Sequence, residues 1–484
     1  MVESSIPGIT LALIGIPLLM SPIAFLIGRL VSPRLSALFA NGTVGSQLIL
    51  LAVSWPRISS GGAVTDSFPW IPELGLTFSF KLDQLSYPFV LVTSIIGLVA
   101  GVYSLRYMRG HQRLEVYYSL YMMFVSGITG VFLATNLFIF YIFWELMLIP
   151  SYFLLLIWGT GDARVISFKY FALTHVGALS LLAGIIWLNA LLGSVSYDVL
   201  LTASGQSRPE LVLAAGLIFI GVAVKMAVVP FHSWLPDAYA EAPSPISAVM
   251  GGVMVNTGIY AFARILVGSL SDAFAVILPI PIILGLIAIY WGGAMALVQT
   301  DIKRVIAYSS VSQMGYVVFG FSVLHALGFS GAVFHAVTHG LAKAMLFLAA
   351  GSIIYSTKER DVNRLGGLTR SMPITSITFL VGALSIAGTP PLAGFFSEWL
   401  MFSGGFASGY TLYTIVAVAA TALTLSYFLR AFTRAFLGSQ RLSVSEPPVE
   451  MTVSTVTLVL LVILIGVLNS PVLSVINGAV PPNL

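Results

Sequence analysis

Apolar stretches long enough to cross a bilayer as an α-helix, about 20 residues each, recur from one end of this chain to the other. Inside a bilayer every backbone N–H and C=O group must be satisfied within the protein, so only helices or closed barrels can span it. Only 8% of the 484 residues are charged, whereas soluble domains carry about 25%. The sequence therefore predicts an all-α polytopic membrane protein. The net charge of +4 reflects loop topology and does not indicate a nucleic-acid partner.

About fourteen such stretches divide the chain. Their approximate bounds are 8–28, 35–55, 82–105, 115–133, 135–158, 167–192, 211–240, 243–267, 273–298, 302–323, 328–355, 373–403, 409–437 and 451–477. The only long connection, 56–81, is rich in Gly, Ser and Pro and contains Asp66. We expect it to form an extramembrane loop or hairpin.

The basic residues predict the orientation of these spans. Loops after odd-numbered spans carry 16 of the 22 Lys and Arg residues, and loops after even-numbered spans carry 4. The positive-inside rule then places the basic loops in the cytoplasm and both termini outside. We therefore expect a multi-pass protein of the cell membrane, inner or plasma, in contact with the lipid bilayer.

Two spans combine a charged residue with prolines that interrupt the helix. Lys225 precedes Pro230 by five residues in the seventh span, and Glu398 follows Pro390 and Pro391 in the twelfth. A charge at the bilayer centre costs about 2.5–3.5 kcal/mol on insertion scales, so it rarely persists without a function. Broken, charged helices in both halves of a chain are typical of transporters with an ion path at mid-membrane.

Three further ionisable residues share one face of the eleventh span. His335, His339 and Lys343 stand at i, i+4 and i+8, which stacks them over about 12 Å. A proton relay is the favoured interpretation, because histidine titrates near neutral pH. Helix-packing histidines are the alternative. Metal binding is disfavoured because no Cys, Asp or Glu stands nearby in sequence.

Other polar residues give weaker signals. Glu145 is flanked on both sides by unbroken apolar sequence, which indicates a functional carboxylate that couples to Lys225. His232 follows the break in the seventh span and could lead to a water-filled entrance, and His175 repeats the Thr-His pair of the eleventh span. Asp237 and Glu241 are interpreted as capping or loop residues, and Asp301, Lys303 and Arg304 as anchors at the membrane interface.

Five segments in order make the chain resemble a known superfamily. They are FWELMLIPSYFLL, KMAVVPFHSWLPDAYAEAPSPISAVM, DIKRVIAYSSVSQMGYV, HAVTHGLAKAMLFLAAG and GTPPLAGFFSEWLMF. Together they resemble the antiporter-like subunits of respiratory complex I, Mrp-type cation/proton antiporters and membrane-bound hydrogenases.

The resemblance implies fourteen helices with two inverted five-helix repeats and broken helices 7 and 12. The implied divisions are an N-terminal segment 1–110, half-channel repeats 111–270 and 271–440, and a last helix within 441–484. It also implies that Glu145 and Lys225 form a coupled pair, that the eleventh span holds the central relay, and that Glu398 is the terminal acid.

Within the superfamily, an acid in the twelfth span is most similar to the M-type (chain 4) subunit of complex I. The sequence departs from the family at Asn256, where a bridging Lys is usual, so the relay there would pass through water, Thr257 or His175. The segments APSPISAVM and THGLAKA are more similar to hydrogenase-linked or Mrp-type relatives.

The resemblance implies a proton-translocating membrane-arm subunit of a redox-driven, complex I-like NADH/quinone (or related donor) oxidoreductase. The alternatives are a subunit of a Mrp-type antiporter or membrane-bound hydrogenase, moving H⁺ or Na⁺, and a membrane scaffold that transports nothing. The chain has no cysteine, so iron–sulfur clusters cannot be held on its thiolates. We expect quinone, flavin and iron–sulfur clusters on partner subunits, and no catalytic residue, cofactor or metal on this chain.

Overall fold

The computed structural model describes residues 8–71, 76–203 and 208–484. These residues form helices almost throughout, together with one two-stranded antiparallel hairpin. Residues 72–75, which belong to the predicted extramembrane loop, lie outside the described residues.

The first half of the chain contains nine helices and both strands. In chain order they are α1 Ile9–Leu30, α2 Pro33–Ser59, β1 Val64–Ile71, β2 Leu76–Leu82, α3 Ser86–Tyr107, α4 Leu114–Leu133, α5 Leu137–Trp158, α6 Ala163–Leu192, α7 Tyr197–Ala203, α8 Pro209–Lys225 and α9 Leu235–Glu241.

All regular secondary structure in the second half of the chain is helical. Its helices are α10 Ser244–Val267, α11 Ser271–Ile277, α12 Pro279–Val298, α13 Ile302–Ser322, α14 Ala326–Thr357, α15 Leu368–Ser371, α16 Pro373–Ile386, α17 Ala393–Ala407, α18 Thr411–Phe436, α19 Val449–Val467 and α20 Ser470–Asn477.

Eleven helices of the described ranges are long and apolar enough to cross a membrane, which confirms the predicted fold class. Three predicted spans are not among them. Two are the interrupted seventh and twelfth spans, whose parts are individually short, and the third is α13, which carries Lys303 and Arg304 in its first turn. The count of fourteen spans stays a prediction.

The seventh span breaks earlier than the prolines alone indicate. α8 ends at Lys225, five residues before Pro230, and the helix resumes at Leu235. Proline disfavours helical backbone in the residue before it and has no N–H to donate. The turn is closed by Met226 N–H, which donates to Val222 O (2.9 Å), and by the Trp234 indole, which donates to Val224 O (2.9 Å). Lys225 therefore stands at the end of a half-helix.

The twelfth span breaks between Ile386 and Ala393. Gly388 lies in the left-handed region there, with φ +64, a conformation that only glycine adopts without cost. Glu398 follows in the second turn of α17, so both charged spans are discontinuous as the sequence predicts.

The eighth span, α10, is wound irregularly. Met250–Met254 and Phe262–Val267 are π-helical, and Asn256 begins the α-helical turn between them. Such π segments are rare and frequently occur at functional sites. Every residue of the most apolar window of α10 is buried, so this helix lies in the centre of the bundle.

The predicted loop 56–81 is mostly regular. α2 continues through Pro56 to Ser59, and β1 pairs with β2 from Val64↔Leu82 onward. The hairpin is anchored by Asp66, which accepts hydrogen bonds from Gly8 N–H (2.6 Å) and Thr10 N–H (2.9 Å) at the start of α1. Of the two expected forms, the described part of this segment is therefore a hairpin, anchored to the start of α1.

Candidate proton path

Lys225 is buried in the interior, with 2% of its surface exposed. Its Nζ lies 5.4 Å from the centroid of the Trp144 ring, a cation–π distance. As the last residue of α8 it also lies where the helix dipole favours a positive charge. Trp144 and the end of the half-helix thus stabilise the protonated side chain without an acid in contact.

Glu145 does not contact Lys225. No ion pair within 4 Å joins these two described residues, and the nearest basic atom in an ion pair with Glu145 is His175 Nδ1, 3.3 Å from Oε2. The side chains of Glu145 and His175 are 21% and 38% exposed. The pair therefore lies at the edge of the bundle, while Lys225 lies inside it.

The eleventh span carries its three ionisable residues into the core. His335, His339 and Lys343 are all buried in α14, and the two imidazole rings stack with centroids 5.7 Å apart. Lys343 Nζ donates to Ile306 O (2.9 Å) and to Ser309 Oγ on α13. Among the described residues no carboxylate lies within 4 Å of Lys343, so its amine is held by neutral groups.

His335 connects α14 to the second broken span. Its Nδ1 lies 2.9 Å from Ser397 Oγ, and Ser397 is the neighbour of Glu398 on α17. Glu398 is buried, and its carboxylate lies directly against Gly388 at the break; a Cβ at Gly388 would overlap Oε2. Glu398 also lines a cavity of about 550 Å³ bounded by α17 and α18.

Several buried polar atoms near the relay have no hydrogen-bond partner among the described protein groups. The set comprises His335 Nε2, both ring nitrogens of His339, both amide atoms of Gln313, and the hydroxyls of Tyr316 and Tyr427. Buried polar groups are nearly always satisfied, and where the protein does not do so, internal water does. This region is therefore suited to hold a chain of water molecules.

Asn256 joins the eighth span to the relay helix. Its amide Nδ2 donates to Gly252 O (3.1 Å) on its own helix and to Ala336 O (3.0 Å), between the two histidines of α14. Asn256 Oδ1 is buried without a protein partner. Thr257 instead donates to Met254 O (2.7 Å) of its own helix.

His232 lies apart from the other candidates. It is partly exposed in the turn after Pro230, and its Nε2 accepts a hydrogen bond from the Trp291 indole (3.0 Å) on the outer side of α12. No contact links it to the relay helix within the described ranges, so the structure does not bring this residue to the interior path.

Sequence reasoning missed a cluster of charges at one end of the bundle. Arg360 contacts Glu241 (2.9 Å) and Asp301 (2.7 Å), while Asp237 contacts both Lys169 and Arg304, at 2.8 Å each. Lys303, interpreted as an interface anchor, is buried, and its Nζ donates to Ala242 O (2.5 Å). The partners lie about 60 to 120 residues apart, so local sequence gave no signal beyond the excess of charge.

No group of three or more His, Asp or Glu residues in the described part of the chain is placed to hold a metal ion. The interior of the described bundle thus contains side chains that can bind protons, together with hydroxyl groups and polar atoms that have no hydrogen-bond partner in the protein.

Comparison with known proteins identifies the family. The model described as NADH:quinone oxidoreductase/Mrp antiporter, TM, matches residues 134–424, well over half of the chain. The chain belongs to this family. A second model, described as the N-terminus of chain 5 of NADH-ubiquinone oxidoreductase (complex I), matches residues 70–118.

Relatives of this NADH:quinone oxidoreductase/Mrp antiporter family member cover most of its length. F(420)H(2) dehydrogenase subunit M of Methanosarcina mazei is 35% identical over 421 residues, 84% of each chain. NADH-quinone oxidoreductase subunit M of Escherichia coli is 33% identical over 479 residues, 93% of this chain and 92% of its own. A chain of the Mrp complex from Dietzia sp. superposes with TM-score 0.89 over 98% of this chain and 96% of its own at 24% identity, which shows the shared fold.

Proposed function

We propose that this chain is a proton-translocating membrane-arm subunit of a redox-driven oxidoreductase of the complex I type. The observation that carries the proposal is the buried series of Lys343, His339 and His335, joined through Ser397 to the helix that bears Glu398. A buried amine without a carboxylate partner is costly to keep charged, so it readily exchanges its proton. A scaffold has no use for such groups.

The path divides into two halves. In residues 111–270, the Glu145–His175 pair at the edge and Lys225 inside form the first half-channel, and in 271–440 the α14 relay and Glu398 form the second. Asn256, which bonds to Ala336, marks the junction. Residues 1–110 and 441–484 flank these repeats. The basic loops would face the cytoplasm, with both termini outside.

The relatives' names support the redox-driven form. The two relatives described above are subunits of an NADH-quinone oxidoreductase and of an F(420)H(2) dehydrogenase. Because this chain has no cysteine, electron carriers would lie on partner subunits, and this chain would respond to them electrostatically. An antiporter subunit is the second candidate, favoured by the Mrp-like fold.

The test uses membrane vesicles that contain the whole complex. Lys343→Met and Lys225→Met should each abolish acidification driven by the electron donor while leaving assembly intact, because methionine fills the buried space but cannot bind a proton. Lys81→Met, at an exposed lysine of β2, is the matched control. Normal acidification by both interior variants would refute the proposal, and acidification that needs a Na⁺ gradient in place of the donor would favour the antiporter.

A further inference from the structure

A cavity of about 270 Å³ opens at the end of the bundle where the basic loops cluster. Its walls come from the end of α3, from Trp158 and Thr160 after α5, and from Tyr355 at the end of α14. Lys303 also lines this cavity, although only 3% of its surface is exposed. Lys303 is thus a deeply buried amine that borders a space open to the surface.

The contacts of Lys303 leave much of its hydrogen-bonding capacity unused. A protonated lysine has three N–H donors, and the hydrogen bond found for Lys303 Nζ goes to Ala242 O. The nearby carboxylates of Glu241 and Asp301 both form ion pairs with Arg360. Glu241 and Asp301 attract a proton to Lys303, whereas the guanidinium of Arg360 repels it. Lys303 therefore has charged neighbours of both signs and forms no ion pair within 4 Å with a described residue.

Lys303 lies on α13, the helix that also supplies the hydrogen-bond acceptors of Lys343. Lys343 Nζ donates to Ile306 O and to Ser309 Oγ, which lie about 4.5 Å and 9 Å further along α13 by helical rise. The Lys343 amine therefore contacts the first turns of the helix that carries Lys303. α13 thus bears both a residue that lines the cavity and the groups that bind the Lys343 amine.

We propose that Lys303 is the group through which protons enter the second half-channel from this cavity. The inference rests on the proposed function and adds an entrance to it. A neutral Lys303 takes a proton from cavity water that exchanges with bulk buffer, and the resulting ammonium returns a proton toward neutral Lys343. Only N–H and O–H bonds form and break, and no oxidant is needed.

A purely structural role for Lys303 makes a different prediction. Its bond to Ala242 O caps the C-terminus of α9, and basic side chains commonly do this. Arginine can donate the same bond and keep the charge, but it cannot release a proton. The substitution Lys303→Arg therefore separates the two roles.

The experiment compares Lys303→Arg with Lys81→Arg, a matched exchange at an exposed position, in vesicles that contain the assembled complex. We expect Lys303→Arg to slow donor-driven acidification about a hundredfold or more, the scale of losing a proton-transfer group, while Lys81→Arg stays near the wild-type rate. Wild-type acidification by Lys303→Arg would overturn the proposal in favour of the capping role.

A second measurement does not depend on how well arginine fits. Because the chain has no cysteine, Lys303→Cys can be treated with aminoethyl methanethiosulfonate, which installs a titratable amine, or with its trimethylammonium analogue, which installs a fixed charge. The wild type treated in the same way controls for other subunits. Restored acidification with the aminoethyl reagent alone supports the entrance, whereas equal restoration by both reagents, or no labelling from either side, overturns it.

Failure of this inference is distinguishable from failure of the proposed function. If Lys343→Met and Lys225→Met both acidify normally, the whole path is wrong. If Lys343→Met is inactive and Lys303→Arg is normal, only the entrance is wrong.

Discussion

At the scale of single residues, the ionisable groups differ in which neighbours they have. Lys225 and Lys343 are buried and held by an aromatic ring or by neutral oxygens, whereas Glu145 lies beside His175 at the edge of the bundle. Glu145 Oε2 lies 3.3 Å from His175 Nδ1 without a hydrogen bond between them, so a small rotation of either side chain is needed before a proton can pass. We therefore treat Glu145 and His175 as one functional unit.

A double substitution tests that unit. Glu145→Gln and His175→Gln should each reduce donor-driven acidification. The double variant should be no slower than the slower single variant, because residues that act in the same step are not additive. Acidification rates in vesicles give the result, and independent multiplication of the two losses would show that His175 does not serve Glu145.

Asn256 forms a polar contact between α10 and α14 but carries no charge. Asn256→Lys should be tolerated, since a lysine keeps a donor for the carbonyls of Gly252 and Ala336. Asn256→Leu should slow acidification, because it removes the amide and dries the contact between α10 and α14. Proton uptake and electron transfer, measured together for both variants, test this prediction. If Leu behaves like wild type while Lys is inactive, the path does not pass Asn256.

At the scale of elements, the interruptions of the seventh and twelfth spans determine where Lys225 and Glu398 lie. Sequence reasoning located both interrupted spans and the shared helical face of three ionisable residues that are buried in α14, because proline chemistry and helical spacing are local properties. It did not find that α8 ends at Lys225, that α10 contains two π segments, or that Glu145 is adjacent to His175. These depend on how helices far apart in sequence pack together, and the charge cluster around Arg360 was missed for the same reason.

The break in the twelfth span should be sensitive to a single methyl group. Gly388→Ala meets two costs: its φ of +64 disfavours any side chain, by about 1–2 kcal/mol, and the new Cβ would overlap the Glu398 carboxylate. We expect the complex to assemble but acidify slowly. Gly216→Ala, where a Cβ would meet no other group within 4 Å, is the control, and equal rates for both variants would contradict the placement of Glu398.

At the scale of the whole molecule, an ion pair joins the segment that follows the hairpin to the central helix, α10. Arg264 near the end of α10 donates to both carboxylate oxygens of Asp83 (2.7 Å each), 181 residues away in sequence. Burial alone would raise the pKa of Asp83, but Arg264 and the Ser86 N–H hold it below the ordinary value of 3.8. The two side chains are partly buried, with 22% and 16% exposed, so removing one partner should cost less than the about 3–5 kcal/mol expected for a fully buried pair.

This pair predicts a pH dependence of stability. The pKa of Asp83 is lower in the folded chain than in the unfolded one, so the stabilisation is complete above pH 3.8 and is lost as the pH falls through the lowered pKa. Asp83→Asn should reduce thermal stability at neutral pH and flatten the acid dependence. Melting in detergent between pH 3 and pH 7 checks this, with Asp198→Asn as the control. An unchanged acid profile in Asp83→Asn would assign that dependence to other carboxylates.

The closed turn after Lys225 has a mechanical consequence. The Trp234 indole bonds to the end of α8, and its ring packs against Tyr170 and Tyr239, with centroids 5.2 and 5.9 Å away. Such a joint resists bending, so the two half-helices keep a fixed angle. In the proposed cycle, the side chain of Lys225 would move while the backbone at the end of α8 stays in place, and the helices would not need to slide past one another.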